Sequence, residues 1–369
     1  MKRRCFGFAL ALAVAVSSLS APAFAAEEQT VCASVNHTSI IINGGDDAGL
    51  LCAPGKSIPP ITYNGTVYVP LYTVGLWLGA NVAYDQNARA VHIVSNGAEP
   101  VYYSRFDFNH MNVEWQLGNE QMRYDWKNGV YVQFLPDVTV TVNGQAETFV
   151  NALGEPVYPL LFRGSVYLPV RSVAGWMGKQ VQWSRHGSYG DSDIHIFDAP
   201  TQAELDNGNA YVTTLRENVD AVRAILEGTE VHTEEEFTAN MRIIQAHLKA
   251  VMELPLPEFP SLARKAESLC RYATETLLEK VDGYLPGEER SNAEEVIKQI
   301  YGIDSIGPQT WMPEKEFLAM APEGKWAYMR DIFLTQMEFS NPWFLTLEGE
   351  CDCAETFMAA VTASTQPTT

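Results

Sequence analysis

Two segments of this chain repeat one another, and the repetition constrains the fold more than any other feature. Residues 61–85 read ITYNGTVYVPLYTVGLWLGANVAYD, and residues 160–184 read LLFRGSVYLPVRSVAGWMGKQVQWS. Aligned without a gap, they are identical at eight positions: Gly65/Gly164, Val67/Val166, Tyr68/Tyr167, Pro70/Pro169, Val74/Val173, Trp77/Trp176, Gly79/Gly178 and Val82/Val181. Flanking segments also match: Ile42-Asn43-Gly44 with Val142-Asn143-Gly144, and Val91-His92-Ile93 with Ile194-His195-Ile196. The chain therefore contains two copies of one structural unit.

The residue pattern predicts the same order of elements in each unit. In the first, alternation over 66–69 after an Asn-Gly turn predicts a hairpin strand, and Pro70 suits the first turn of a helix. Apolar residues then recur at helical spacing until Gly79, which is a natural helix stop. A hairpin follows in both units, over 81–94 and 180–197. We expect the short helix to bury its apolar face against the sheet.

This pattern resembles the copper amine oxidase N-terminal domain-like family, also called stalk domains. The motif that carries the resemblance is Gly-x-Val-Tyr-[Val/Leu]-Pro-[Leu/Val]-x-x-Val-x-x-Trp-[Leu/Met]-Gly, within residues 34–198. The resemblance implies an antiparallel sheet wrapped around a helix, and a non-catalytic accessory role in exported proteins of Gram-positive bacteria. The Arg that usually follows Pro-Leu in the family is present as Arg171, but the first unit has Tyr72 there.

The rest of the chain divides around these units. We place repeat 1 at 26–97, a β-rich connector at 98–135 and repeat 2 at 136–200, because aromatic residues and an Asn-Gly pair in the connector indicate strands. From 201 the periodicity becomes helical. An acidic helical domain is predicted over 201–361, and a Thr-rich disordered tail over 362–369. The predicted fold class is α+β: two stalk-type repeats followed by an all-α domain.

Breakers such as Pro255, Pro286 and Pro342 separate the helices of the second half. Thr233, followed by three glutamates, marks one helix start because anions suit a helix N-terminus. The predicted helices are 201–227, 233–253, 260–282, 290–301, 314–340 and 351–363.

The first 25 residues indicate export. Lys2, Arg3 and Arg4 precede an apolar run over 6–16, and Ala23-Phe24-Ala25 is a small-x-small cleavage site. These features, in this order, predict a secretory signal peptide at 1–25. No later run reaches the roughly 18 apolar residues of a membrane span. The mature protein is expected to be secreted, possessing no membrane span, and associated with the cell wall.

Charge excludes several partners. The chain has a formal net charge of −20, and removal of the three positive charges in 1–25 leaves −23. Nucleic-acid binding needs a basic face, so we expect no nucleic-acid partner. Docking on anionic lipid is disfavoured for the same reason. A cell-wall polymer or a surface protein is the expected partner, and the acidity itself favours solubility.

Five of the six cysteines follow the predicted cleavage site, in a compartment that permits disulfides. Cys32 and Cys52 flank one strand-and-loop segment and form our predicted pair. Cys351 or Cys353 is a predicted partner for Cys270, which leaves one thiol over. A metal site at Cys351 and Cys353 is disfavoured, because Cys-x-Cys is not the usual zinc spacing and no His lies nearby in sequence.

Few residues suggest a binding function. Trp77 and Trp176 lie at the edge of the helix stripe, where they either stack on sugars of a wall polymer or seal the core. Tyr72 and Arg171 are the other candidate contacts. His92 and His195 occupy equivalent strand positions, either as repeated ligand contacts or, as we favour, as solvent-facing side chains.

Catalytic patterns are missing from the sequence. An amine oxidase needs Asn-Tyr-Asp/Glu for its quinone cofactor and a His-x-His pair, and the chain has neither an Asn-Tyr nor a His-x-His. We therefore predict an exported, non-catalytic binding or spacer protein without cofactor or metal. Two alternatives stay open: a secreted hydrolase with its site in the helical domain, and an extracellular metal-binding protein.

Overall fold

The computed structural model describes residues 29–35, 38–185, 192–267, 271–285, 314–338 and 347–365. The predicted signal peptide, Cys270, the predicted helix 290–301 and residues 366–369 lie outside these ranges. Strands and helices are both abundant in the described residues, so the α+β class is confirmed.

Between Gln29 and Phe197 the described residues form short strands and four short helices. The strands are β1 Thr30–Val35, β2 Ser39–Ile42, β3 Leu51–Ala53, β4 Lys56–Ser57, β5 Ile61–Tyr63, β6 Thr66–Pro70, β7 Ala80–Asp85, β8 Ala90–Ser95, β9 Glu114–Trp115, β10 Val130–Phe134, β11 Thr139–Val142, β12 Gln145–Glu147, β13 Phe149–Val150, β14 Pro156–Val157, β15 Leu160–Phe162, β16 Ser165–Pro169, β17 Gln180–Arg185 and β18 Ser192–Phe197. The helices are α1 Leu71–Leu78, α2 Arg105–His110, α3 Asn119–Asn128 and α4 Val170–Trp176. The predicted strand, helix and hairpin of each repeat are confirmed as elements.

After Phe197 every described element is a helix. The helices are α5 Gln202–Gly228, α6 Glu234–Glu253, α7 Pro260–Lys265, α8 Arg271–Tyr284, α9 Glu314–Leu318, α10 Pro322–Glu338 and α11 Leu347–Thr365. We refer to this part as the helical half, and to residues 29–198 as the β half. The predicted helix 260–282 is helical at its described residues 260–267 and 271–282. A single predicted helix over 314–340 is wrong, since that region contains two. Pro322 explains the break between them, because proline disfavours helical geometry in the residue before it.

Two helix starts follow from their first residues. Thr201 accepts a hydrogen bond from the backbone of Glu204, whose side chain bonds back to Thr201, and Thr233 and Glu236 do the same at α6. Each capping box satisfies backbone donors that the first helical turn leaves unpaired. The predicted helix start after Thr233 is confirmed.

Six strands form a closed barrel in the order β1-β10-β15-β16-β6-β5. Each repeat supplies part of it, since β6 of the first pairs with β16 of the second. The interior contains Tyr68 and Tyr167, the matched tyrosines of the two motifs, which are 1% and 0% exposed. Tyr167 donates its hydroxyl proton to the carbonyl of Pro59 over 3.2 Å, which satisfies a buried polar group.

The two repeats also exchange strands. β2 of the first repeat pairs in parallel with β18 of the second, and β11 of the second pairs in parallel with β8 of the first. The outer sheets are therefore β17-β18-β2 and β12-β11-β8-β7. A wholly antiparallel sheet in each repeat is a wrong prediction. β2 and β11, which end just before Asn43-Gly44 and Asn143-Gly144, each complete the sheet of the other repeat.

Strand exchange leads to one core shared by both repeats. Val74 on α1 and Val173 on α4 are completely buried, and both belong to the cluster that contains Val91 of the first repeat and Ile196 of the second. Neither repeat can bury these side chains without its partner. The two units form a single packed body rather than a string of separate modules.

The connector 98–135 differs from its prediction. It contains α2 and α3 as well as β9 and β10, so a purely β-rich connector is wrong. α3 ends at Gly129, whose φ of +75° lies in the left-handed region. A side chain there would also meet Cys32 Sγ at 2.8 Å, so glycine is required where α3 turns into β10 beside β1.

We predict that the first repeat does not fold alone. A fragment of residues 29–97 lacks β11 and β18, so it exposes the core side chains of Ile40, Val91 and Ile93. Circular dichroism and size-exclusion chromatography should show an unfolded or self-associated fragment, whereas the mature chain from residue 26 onwards should be folded. A folded, monomeric 29–97 would contradict the shared core.

Candidate functional site

The outer face of the sheet β17-β18-β2 carries the junction between the β half and the helical half. Phe197 at the end of β18 belongs to the core of the helical half. Its ring lies 5.2 Å from that of Phe259 and 6.3 Å from that of Phe357, and the last two rings stack at 6.0 Å. Aromatic contacts of this kind add to the free energy gained by burial. The junction is thus a continuous apolar core.

Ionisable side chains are buried within this apolar junction. His195 on β18 is 1% exposed, and its ring lies 4.9 Å from that of Phe357. Its Nε2 lies 3.9 Å from Oδ2 of Asp193. Lys265 on α7 and Glu350 on α11 are each 3% exposed. Side chains of this type are almost never fully buried unless they are paired, so this group is the most unusual chemical feature of the described structure.

Burial alters the proton affinity of Glu350. Desolvation raises the pKa of this carboxyl to about 8, nearby Asp193 also raises it, and Lys265 opposes the rise. Nζ of Lys265 lies 5.9 Å from the centre of the Phe357 ring and makes no hydrogen bond to any described residue. The junction therefore buries a carboxyl with a raised pKa together with a lysine.

Asp46 and Asp47, in the loop after β2, each form an ion pair with an arginine. Burial raises the pKa of Asp47, although Arg105 lies 3.0 Å away and Oδ1 accepts a hydrogen bond from the backbone of Ile40 at 2.9 Å. The neighbouring Asp46 faces Arg264 of α7 at 3.4 Å. Both aspartates are thus engaged by arginines, one within the β half and one across the junction.

The same loop touches α7 through Gly44. Its φ is +71°, and a Cβ built on it would lie 2.4 Å from the carbonyl oxygen of Pro260. The corresponding Gly144 of the second repeat has a φ of +83° and nothing within 4 Å. The Asn43-Gly44 turn of the first repeat therefore packs against the helical half, whereas the glycine of the matching Asn143-Gly144 turn in the second repeat faces open space.

The candidate binding residues of the sequence have different environments. Trp77 is 2% exposed in the shared core, so its predicted role in sealing the core is confirmed and the alternative of stacking on sugars is wrong. Trp176 is partly buried, with its ring 6.0 Å from that of Phe149. Tyr72 is partly buried on α1, and Arg171 is exposed on α4. Only Arg171 presents a fully accessible side chain.

The two equivalent histidines, His92 and His195, also lie in different environments. His92 is exposed, as expected, and its Nδ1 lies 3.0 Å from Oγ1 of Thr141. A solvent-facing His195 is a wrong prediction, because α11 covers its face of the sheet. The sequence of repeat 2 does not reveal this covering, since the covering helix lies about 150 residues further along the chain.

Cys32 and Cys52 are free thiols, so the predicted pairing of Cys32 with Cys52 is wrong. Cys32 is exposed beside Gly129, whereas Sγ of Cys52 donates to Oε1 of Gln116 at 2.7 Å, so the two have different neighbours. Cys351 is buried and Cys353 is partly buried. Their predicted partner Cys270 lies outside the described residues.

Lys265 and Glu350 were missed from the sequence. A signal existed for Glu350: Leu347, Cys351 and Ala354 define a helical stripe, and Glu350 lies on it at i+3 from Leu347. An acid on an otherwise apolar stripe indicates a buried carboxyl. No comparable signal marks Lys265, because α7 is too short to define a face.

In the described ranges, no three His, Cys, Asp or Glu side chains form an arrangement that could hold a metal ion. Among the same residues, no helix combines the length and apolar composition that a membrane span requires. Comparison of the chain with protein-family models, with curated proteins and with solved structures found no match.

We predict that alanine is tolerated less well at Gly44 than at Gly144. Both substitutions place a side chain at positive φ, which costs about 1–2 kcal/mol. Gly44→Ala must in addition displace Pro260, and overpacking adds a further ~1–3 kcal/mol. Urea denaturation of the two variants measures the difference, and an equal loss of stability would show that the loop does not determine the junction.

Proposed function

We propose that this protein is an exported, non-catalytic component of the bacterial cell surface that serves as a rigid spacer or binding platform. Within it, we propose that residues 26–97 and 136–200 are two stalk-type repeats of the copper amine oxidase N-terminal domain-like family, and that 201–361 is an all-α domain. The repeated motif and the predicted signal peptide support these assignments.

The continuous core across the junction is the observation that carries the proposal. Phe197 of the β half packs with Phe259 and Phe357 of the helical half, and Arg264 faces Asp46 across the same boundary. Two domains joined only by a linker are expected to move relative to each other, whereas a large apolar interface holds them in one orientation. A fixed orientation is what a spacer or a presenting platform requires.

Arg171 is the residue that we propose as a direct contact with the wall. It is exposed on α4, and a guanidinium binds carboxylate or phosphate groups of an anionic polymer through two parallel hydrogen bonds. Trp176 and Tyr72 are accessible in part and are proposed as secondary contacts. Trp77 has no place in this surface because it is buried.

The hydrolase alternative draws on the convergence of His195, Asp193 and Glu350. Such groups would suit acid–base chemistry, but a catalytic group must come within about 3 Å of the proton it transfers. His195 and Glu350 are 1% and 3% exposed, respectively, under the packed aromatic rings of the junction. A substrate could reach them only if the two halves separated, so the observation favours a structural role.

We predict that the mature protein cosediments with purified Gram-positive cell wall. Arg171→Ala should weaken retention about five- to tenfold, because truncation of a contact arginine commonly costs more than 1 kcal/mol. Arg242→Ala removes the same charge from an exposed site on α6 and serves as the control. Lack of retention by the wall, with no surface protein recovered as partner, would contradict the proposal, and release of wall fragments would favour the hydrolase.

A further inference from the structure

The repeated sequence extends upstream of the strand and helix motif. Residues 50–60 and 149–159 align without a gap, with identities at Ala53/Ala152, Gly55/Gly154 and Pro60/Pro159. Both segments contain a two-stranded hairpin, which is β3-β4 in the first repeat and β13-β14 in the second. Because the two hairpins correspond, a difference between their surroundings shows what one repeat has and the other lacks.

The connector covers the hairpin of the first repeat. β9 pairs in parallel with β4. The backbone of Glu114 donates to the carbonyl of Gly55 at 2.8 Å, and that of Gln116 donates to the carbonyl of Ser57 at 3.1 Å. Ser57 is 1% exposed under this cover, and Leu117, the residue after β9 and Gln116, is 0% exposed in the core of the barrel. The connector thus adds a strand to the hairpin and an apolar side chain to the barrel.

The hairpin of the second repeat has no such cover within the described residues. β13 and β14 form a sheet of two strands, so no described strand pairs with the second edge of β14. Val150 is 48% exposed, whereas the matching Leu51 is 5% exposed. Pro156, which corresponds to the buried Ser57, is exposed. An edge strand with exposed apolar side chains is a template for the addition of another strand.

The end of the barrel beside this hairpin is also incompletely closed. Tyr158 follows β14, is 39% exposed, and has its ring 6.3 Å from that of Phe134, which lies 5.1 Å from the ring of Tyr63. Tyr63 is partly buried, whereas the matching Phe162 is 5% exposed. Tyr68 is 1% exposed and interacts electrostatically with Tyr63, but its hydroxyl makes no hydrogen bond to a described residue. Buried hydroxyls are nearly always hydrogen-bonded, so an incoming backbone carbonyl would complete this end.

We propose that β14 and the adjoining barrel end bind an extended segment of another protein, in the way that β4 binds β9. The segment adds in parallel to β14, donates to the carbonyls of Gly154 and Pro156, and places an apolar side chain against Tyr63 and Phe134. Pro156 has no N–H, so binding depends on these two acceptors and on the apolar side chain. The proposal rests on the proposed function as a binding platform, whose partner it names, and uses none of the residues proposed to contact the wall.

Charge determines which segment fits. In the first repeat, Lys56 of β4 is the register partner of Glu114 of β9. Glu155 takes the position of Lys56 in the second repeat, where it is exposed and accepts a hydrogen bond from Asn151 at 2.8 Å. A basic residue is therefore favoured where β9 has Glu114, because like charges across an interface reject a partner. Leu117 lies three residues after Glu114, so the segment has a basic residue followed, at the third place, by an apolar one.

A labelled synthetic peptide tests the site. Its sequence is that of residues 111–118 with Glu114→Lys, and fluorescence anisotropy measures its binding to the mature chain from residue 26 onwards. We expect saturable binding. The same peptide with Leu117→Asp should bind at least about tenfold more weakly, because a charge replaces a buried apolar side chain. The peptide that retains Glu114 should bind about two- to fivefold more weakly, since an exposed ion pair contributes modestly.

Glu155→Lys in the protein should reverse this preference, so that the peptide with Glu114 binds more tightly than the peptide with Lys. Loss of folding cannot produce a reversal. Glu235→Lys makes the same change at an exposed position on α6 and should leave the preference unaltered. The absence of saturable binding, or an unchanged preference in Glu155→Lys, would overturn the proposal.

Two further measurements test other occupants of the same edge. A dimer of the mature chain that Glu155→Lys dissociates, detected by analytical ultracentrifugation, would assign the edge to a second copy. Binding of a β-1,4-linked N-acetylglucosamine tetramer without binding of the peptide would assign it to a glycan. Either result would overturn the proposal. Cosedimentation with cell wall is measured separately, so peptide binding without retention by the wall would support this site and contradict wall attachment alone.

Discussion

Parallel pairing of β2 with β18, and of β11 with β8, is the constraint on which the rest of the structure depends. The backbone groups of a buried strand must be paired. β2 pairs with β18 of the other repeat, and β11 lies between β8 of the other repeat and β12 of its own. This pairing brings both short helices onto one core, beside the barrel in which β6 and β16 join the repeats. It also fixes the sheet β17-β18-β2, on whose outer face the helical half packs.

Local elements could be predicted from the sequence, whereas their partners could not. The Gly-x-Val-Tyr motif, Pro70 and Gly79 indicate a strand, a helix start and a helix stop, and all three are present. The same motif does not state whether β2 pairs with β8 or with β18, because both have the same alternation of apolar side chains. Trp77 shows a similar limit, since a residue at the edge of a helical stripe is buried or exposed according to what packs beside it.

The two outer sheets show how a few side chains determine a docking face. His195, Phe197 and Ile41 form the face that the helical half covers, and all three are buried. At the corresponding positions of the other sheet, His92, Val94 and Thr141 are exposed or partly exposed. Isoleucine and phenylalanine in place of threonine and valine supply the apolar area that makes docking favourable. The helical half, which follows β18 directly along the chain, thus packs on the sheet whose outer face is the more apolar.

The parallel register of β2 and β18 has a mechanical consequence. A force that acts on the chain before β2 and after β18 pulls the two strands along their axes in opposite directions. Their hydrogen bonds are then loaded together in shear rather than opened one after another, as in a hairpin pulled from its ends. Tension applied at these two points would therefore be resisted at this pair of strands.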